Sequence, residues 1–326
     1  MNSRERFVNT IGYTPCDQPP LFEDGIRDEV LRIWRKQGLR KYEHLETMFS
    51  YDYREEIEPD LEPLPVPDYW PKTIRGLKTL SQRLDPEDPG RLPTDWSDKV
   101  KQWKTRDYPL ILRVHRGYFL SMGVHGWHRF IDAIELLADD PRLVETWMTM
   151  YAAFSARLAE KILREVKVDA ALFSEPIGGN HGSLISPHMY STFVLKSYQP
   201  ILDVLRQFGV STIIYRTYAN TRVLLPAVFK AGFTCLWACE CNPQAMDYRT
   251  IRLEYGKDLR LIGGIDSDSL RQNQQEIQRS VMETVPALLE QGGYIPLADG
   301  RVREDVSFAN YIYYRKLLES LTRQTK

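Results

Sequence analysis

From about residue 108 this chain settles into a rhythm of short apolar runs separated by longer stretches whose apolar residues return every three or four positions. The runs cover 108–114, 169–175, 211–217, 234–240, 259–265 and 294–299. Their length, and the turn residues around them, predict strands. The longest intervening stretch, 140–166, repeats Leu143, Trp147, Met150, Tyr151, Phe154, Leu158 and Ile162 at helical spacing. It opens with Asp140 before Pro141, a capping side chain followed by a proline at the first turn. Two more helices are predicted over 187–208 and 222–231, stopped by Gly209 and Gly232.

Strands alternating with helices predict parallel βαβ units with right-handed crossovers. Six runs, one further strand near 19–22 and one within 73–107 make eight, the number that closes a (β/α)8 TIM barrel. The chain is therefore read as a single barrel domain over 1–326, with 40–107 as a lid-like insertion in an elaborated N-terminal region. An open doubly wound sheet is disfavoured, because no Gly-x-Gly-x-x-Gly turn follows an early strand. Gly263-Gly264 begins no phosphate loop and reads as close backbone packing. The proline-rich stretch 56–68 is expected to run extended over the surface.

Composition narrows the function classes. With 43% hydrophobic and 27% charged residues the chain can bury a full core. A net charge of −1 argues against broad nucleic-acid binding. Cys16, Cys235, Cys239 and Cys241 make no disulfide framework. No signal peptide follows Met1, and no apolar run is long enough to span a membrane. A cytoplasmic, globular protein is expected.

Barrel sites lie at the C-terminal ends of the strands. Those ends carry His115, Glu175, Arg216 with Tyr218, Glu240, Asp266, and Asp299 with Arg301. A period of two puts Arg216 and Tyr218 on the same side of their strand. Glu175, Arg216, Tyr218, Glu240 and Asp299 are expected to converge on one pocket. Arg216 needs an acidic partner there, expected to be Glu175 or Glu240 in the resting protein, and forms an anion site. The glycine-rich turn 178–182 lacks the ending of a phosphate loop; His181 within it is either part of a turn or a ligand contact. His125 and His128, flanked by glycines, are expected in a loop, and Tyr311, Tyr313, Tyr314, Leu317 and Leu318 form the packed face of the last helix.

The segments Phe173-Ser-Glu-Pro-Ile, Leu184-Ile-Ser-Pro-His-Met-Tyr190, 254–266 and Gly292-Gly-Tyr-Ile-Pro296 resemble the uroporphyrinogen decarboxylase superfamily, within it the corrinoid- and folate-linked methyltransferase branch. Asn2-Ser-Arg-Glu-Arg-Phe7 and Asp17-Gln-Pro-Pro20 resemble that branch's N-terminal helix and first strand. The resemblance implies a (β/α)8 barrel, in agreement with the strand count. It also implies transfer of a methyl group between a corrinoid (methylcobamide) held on a separate corrinoid-binding protein and a small acceptor such as tetrahydrofolate. Glu175, Glu240 and Tyr218 are then the candidates for proton handling. Arg216, Asn220, His115, His181, Asp266, Asp299 and Arg301 are the candidates for binding the small molecule.

Zinc-dependent members of that superfamily carry a His-x-Cys pair where this chain has Arg216-Thr-Tyr218, and a cysteine where it has Gly300. All three protein ligands are replaced, so no catalytic zinc is expected. Cys235 and Cys239 alternate with apolar residues and read as packed thiols. Two other functions fit the substituted motif. One is a metal-free decarboxylase of a cyclic carboxylic acid, with Arg216 clamping a spectator carboxylate. The other is a non-catalytic barrel of a methyltransferase system. The expected partners are a small molecule and a corrinoid-binding protein, with no nucleic acid and no membrane.

Overall fold

Nine strands appear, most of them where an apolar run predicts one, in a computed structural model that describes residues 1–41, 43–241 and 244–323. The chain divides into a middle unit, Glu55–Arg106 with Leu110–Thr234, and a flanking unit, Met1–Arg54 with Asp107–Pro109 and Cys235–Lys326.

The middle unit holds β1 (Glu55–Ile57), β2 (Leu110–His115), β3 (Ala170–Glu175), the two-residue strands β4 (Gly178–Gly179) and β5 (Gly182–Ser183), and β6 (Ile213–Tyr218). β1, β2, β3 and β6 pair in that order, all parallel, whereas β4 and β5 form a small antiparallel hairpin. The crossover from β2 to β3 contains the helix Pro141–Glu165. Asp140 caps it by accepting from the Leu143 N–H at 3.0 Å, and Pro141 fills a first-turn position whose N–H would be orphaned anyway. Its buried face contains Leu143, Trp147, Tyr151, Phe154, Leu158 and Ile162 of the predicted stripe, while Met150 is only half-buried. The predicted 187–208 helix is irregular. It opens as Pro187–Met189, widens to a π turn over Tyr190–Val194, tightens over Leu195–Tyr198, and resumes as Gln199–Gln207.

The flanking unit contains β7 (Cys235–Cys239), β8 (Arg260–Ile265) and β9 (Tyr294–Ala298), parallel and in sequence order. The helices Tyr248–Tyr255 and Gln274–Gln291 make the connections, and Phe308–Arg323 follows β9. Of the expected packed face of the last helix, Tyr311, Tyr314 and Leu318 are buried, whereas Tyr313 and Leu317 are only half-buried.

Two predicted strands are corrected. The segment 19–22 is buried and extended but joins no ladder, because Pro19 and Pro20 have no N–H to give. Its backbone is satisfied by Asp52, whose carboxylate accepts from the Leu21 N–H at 2.9 Å and whose own N–H donates to the Leu21 carbonyl at 3.1 Å. The stretch 73–107 holds helices Ile74–Ser81 and Trp96–Trp103 and no strand among the described residues. The first strand is instead β1, at the start of the stretch expected to be loop. The rest of that stretch is held by Arg91, which is buried and donates to the carbonyls of Asp60, Glu62, Arg83 and Asp85.

Candidate active site

Strand pairing in the middle unit sorts the predicted residues onto two opposite faces. Ser174 pairs with Arg216 and Glu175 with Thr217, so Glu175 and Arg216 point in opposite directions. The same register puts Glu56 opposite Ile111, two residues before Arg113, on the Arg216 face. A bulge between Arg113 and His115 turns His115 over, so that it stands opposite Phe173 on the Glu175 face.

On the Glu175 face the sheet meets its own helices, and the site is sealed. Glu175 is fully buried, with Oε2 at 2.5 Å from the Tyr198 hydroxyl and 3.2 Å from that of Tyr190. Oε1 accepts from the Tyr118 N–H at 2.8 Å, and the Tyr190 and Tyr215 hydroxyls lie 3.1 Å apart. Burial pushes the carboxyl up to about 7, and the hydrogen bonds from Tyr198, Tyr118 and Tyr190 pull the other way. His115 is buried against the Tyr198 ring, 4.5 Å between centroids. Its Nδ1 accepts from the Gly117 N–H at 3.0 Å, which puts the ring proton on Nε2, and burial pushes its pKa down to about 3. The expectation that Glu175 and His115 open onto the same pocket as Arg216 and Tyr218 is therefore corrected. Side-chain alternation and one bulge send both into a closed layer of phenols.

The other face carries Glu56, Arg113, Ser174 and Arg216. Arg113 Nη2 lies 3.2 Å from Glu56 and 2.8 Å from Glu58, and Arg216 Nη1 lies 3.8 Å from Glu56. The guanidinium of Arg216 stands 6.0 Å from the centre of the Tyr218 ring. Glu56 is an acidic neighbour of Arg216 within this unit, whereas Glu175, one of the two expected partners, points the other way. At 3.8 Å the Arg216–Glu56 contact is Coulombic and not a hydrogen bond. Glu56, Glu58 and Arg113 were missed as site residues because β1 presents no apolar run. The period-two spacing of Glu56 and Glu58 is the signal that could have found them.

Just past β6, Ala219 takes a left-handed φ of 54°, and the Asn220 N–H donates to the Gly179 carbonyl at 3.1 Å. Asn220 Oδ1 accepts from the Arg222 N–H at 3.1 Å, so this side chain shapes the turn. His181, at the tip of the β4–β5 hairpin, is exposed. A Cβ on Gly178 would stand 2.1 Å from the Tyr218 carbonyl oxygen. Gly178→Ala is accordingly expected to lower stability by about 1–3 kcal/mol, read by thermal melting, through forced displacement of the hairpin from β6. An unchanged melting temperature would contradict it. A second cluster lies at the end of β2, where Arg116 pairs closely with Glu62 and His125 Nε2 stands 3.6 Å from the same carboxylate. His125 lies in a bend, as expected, whereas His128 lies in the helix Trp127–Asp139, which corrects the loop expected for it.

In the flanking unit, Asp299 is 3% exposed and clamps the strand ends. Its Oδ1 accepts from the Ser267 N–H at 2.9 Å, and its Oδ2 accepts from the Cys241 N–H at 3.0 Å. Burial pushes the carboxyls of Asp299 and half-buried Asp266 upward. Both residues line a cavity of about 580 Å³ with Cys241 and Gly264. Glu240 and Arg301 are exposed and line a recess of about 450 Å³ with Arg27 and Arg303. Glu240 holds a left-handed φ of 48°, an arrangement a non-glycine residue adopts only when its surroundings impose it. Cys235, Cys239 and Cys241 are buried free thiols, and burial pushes Cys235 up to about 12. No group of three or more His, Cys, Asp or Glu side chains among the described residues is placed to hold a metal ion.

Strand–helix alternation with parallel pairing defines an α/β class, and comparison with known proteins gives the family. The chain belongs to the uroporphyrinogen decarboxylase (URO-D) family, whose model matches residues 121–296, more than half of its length. Its fold is accordingly α/β of the TIM-barrel-like type. A methyltransferase from Methanosarcina mazei is similar over 98% of this chain and 100% of that one, with a TM-score of 0.60 and 13% sequence identity. A uronate isomerase from Bacillus halodurans is similar over 78% of this chain and 60% of that one, at 11% identity and a TM-score of 0.36. No curated protein sequence matches the chain. No helix among the described residues is long and apolar enough to cross a membrane.

Proposed function

We propose that this protein is a methyl-transfer enzyme. In this reading it moves a methyl group between a methylated corrinoid, brought by a partner corrinoid-binding protein, and a small molecule held by Arg216. Tetrahydrofolate is the small molecule that the family resemblance implies, and no zinc takes part. Membership of the URO-D family and a likeness to a methyltransferase along the whole of both chains support the reaction class. The observation that carries the site is the Arg216 guanidinium, on the strand face opposite the sealed layer and 3.8 Å from its carboxylate partner. A guanidinium can hold a substrate oxyanion bidentately.

Methyl transfer from cobalt is an in-line displacement, so the work of this chain is to bind, orient and move a proton. Arg216 fixes the anionic end of the small molecule, and the Tyr218 ring flanks it. Of the proton-handling candidates in this unit, Glu175 is sealed among tyrosines and Tyr218 stands beside Arg216. Tyr218 is therefore assigned that step.

Methylcobalamin absorbance should decay when protein and acceptor are mixed. Arg216→Met should weaken binding of the small molecule by about 2–5 kcal/mol. Thermal stability should be largely kept if Arg216 is a substrate clamp. A large loss of stability with unaltered binding would make Arg216 a structural ion pair instead. The alternative chemistry is decarboxylation, which the family's founding activity favours: the same guanidinium would hold a spectator carboxylate. Release of carbon dioxide from a cyclic carboxylic acid, with no decay of methylcobalamin, would select it.

A further inference from the structure

The flanking unit holds a further cavity of a different kind, with apolar walls. Its volume is about 250 Å³, and its lining comes from the helix Asp28–Lys36, the segment that follows it, and the last helix, Phe308–Arg323. Leu31 and Arg35 line it from one helix and Tyr311 and Arg315 from the other, each pair four residues apart and so on one helix face. An apolar cavity of roughly 150 Å³ is already large enough to take benzene. This one admits a single ring with a short substituent.

Burial sorts the lining into a floor and a rim. Leu39, Phe49 and Tyr311 are buried, and the Phe49 and Tyr311 rings meet edge to face at 5.6 Å. The Glu23 side chain, 9% exposed, stands 3.5 Å from Arg315. Its Oε2 accepts from the Tyr311 hydroxyl at 2.7 Å, and its Oε1 accepts from the Asp24 N–H at 3.0 Å. Burial raises the pKa of this carboxyl, against the opposing pull of Arg315 and Tyr311. The floor therefore offers no unanswered carboxylate to attract a cation. At the rim, Arg35 and Lys41 are exposed, and neither has a carboxylate partner among the described residues. Glu43, which lines the same cavity, is taken by Arg40, whose N–H donates to it at 2.9 Å.

Apolar walls below two unpaired cations suit an amphiphilic anion. Its ring leaves water for the floor, while its charge stays at the rim, where Arg35 can hold it bidentately and Lys41 as a point charge. An organic cation would meet both positive groups on entry. We propose that this cavity binds a small carboxylic acid with a single-ring body, ring inward and carboxylate on Arg35 and Lys41. The site belongs to the flanking unit alone and does not depend on the role given to Arg216.

Calorimetric titration of the full-length protein with phenylacetate, phenylacetamide, 2-phenylethylamine and acetate tests it. Wild type should bind phenylacetate about tenfold or more tightly than any of the other three. The Arg35→Gln, Lys41→Gln double variant, changed only at exposed positions, should bring phenylacetate down to the level of phenylacetamide. Leu45→Trp, which fills the cavity from a half-buried wall, should abolish binding of phenylacetate, with an unchanged melting temperature showing that the variant folds. Arg216→Met should leave phenylacetate affinity as it is. No binding of phenylacetate, equal or tighter binding of the amine, or an affinity that survives both the double variant and Leu45→Trp would overturn the proposal. Loss of phenylacetate binding in Arg216→Met alone would place the carboxylate at Arg216, which overturns this inference and leaves the proposed function standing.

Discussion

Glu175→Gln should remove a pH dependence of stability that the wild-type protein shows between about pH 4.5 and 8. The folded-state carboxyl titrates near 7, above its ordinary value of 4.5, because burial disfavours the charged form more than its hydrogen bonds favour it. A raised acid favours the fold while it is protonated. Its contribution is complete below about pH 4.5 and is lost as pH rises through about 7. Raising the carboxyl from 4.5 to about 7 corresponds to about 3 kcal/mol. Asp299 and Glu23 are also shifted upward by burial, so wild type alone would mix their titrations with that of Glu175. The difference between wild type and Glu175→Gln, from urea melts at pH 5 and pH 8, isolates one carboxyl. A gap that stays constant across that range would show that Glu175 is charged in the fold at both values.

Arg91→Met should cost about 3–5 kcal/mol, the largest loss expected from any single surface-to-core arginine in the middle unit. The side chain is 1% exposed and lies over the Phe154 ring at 4.7 Å. Its nitrogens donate to four main-chain carbonyls, Asp85 at 2.9 Å, Asp60 at 3.1 Å, Arg83 at 2.6 Å, and Glu62. Methionine can replace the packing over Phe154 but supplies no donor, so the carbonyls lose buried partners at once. Amide hydrogen exchange should quicken over 58–65 and 83–91 in the variant. A cost under about 1 kcal/mol would mean that solvent replaces the guanidinium there.

The strands were legible wherever an apolar run was bounded by turns, and the six runs from 108 onward match β2, β3, β6, β7, β8 and β9 to within two residues at their ends. β1 was not legible, because a three-residue strand with two glutamates carries no apolar signal. Its backbone gains its place from pairing with β2, a non-local fact. The strand-end residues were legible as a set, but their directions were not. That Glu175 and Arg216 look opposite ways depends on Ser174 standing beside Arg216, a register that one sequence does not encode locally. His115 was unreadable for a second reason, since a bulge reverses the alternation between Arg113 and His115. The irregular helix after β5 hid the origin of the phenol layer: Tyr190 sits in its π turn and Tyr198 at the end of the tighter turn that follows.

The alternation that separates Glu175 from Arg216 also guards assembly of the sheet. If β6 slid by one residue against β3, Arg216 would enter the layer now filled by Phe173, Tyr190, Tyr198 and Tyr215. A guanidinium there would meet aromatic walls, while Tyr215 and Thr217 would turn toward Glu56 in place of Arg216. Either misplacement costs several kcal/mol. The charged residues on the Arg216 face therefore proofread strand pairing, penalising the shifted sheet before any ligand is present.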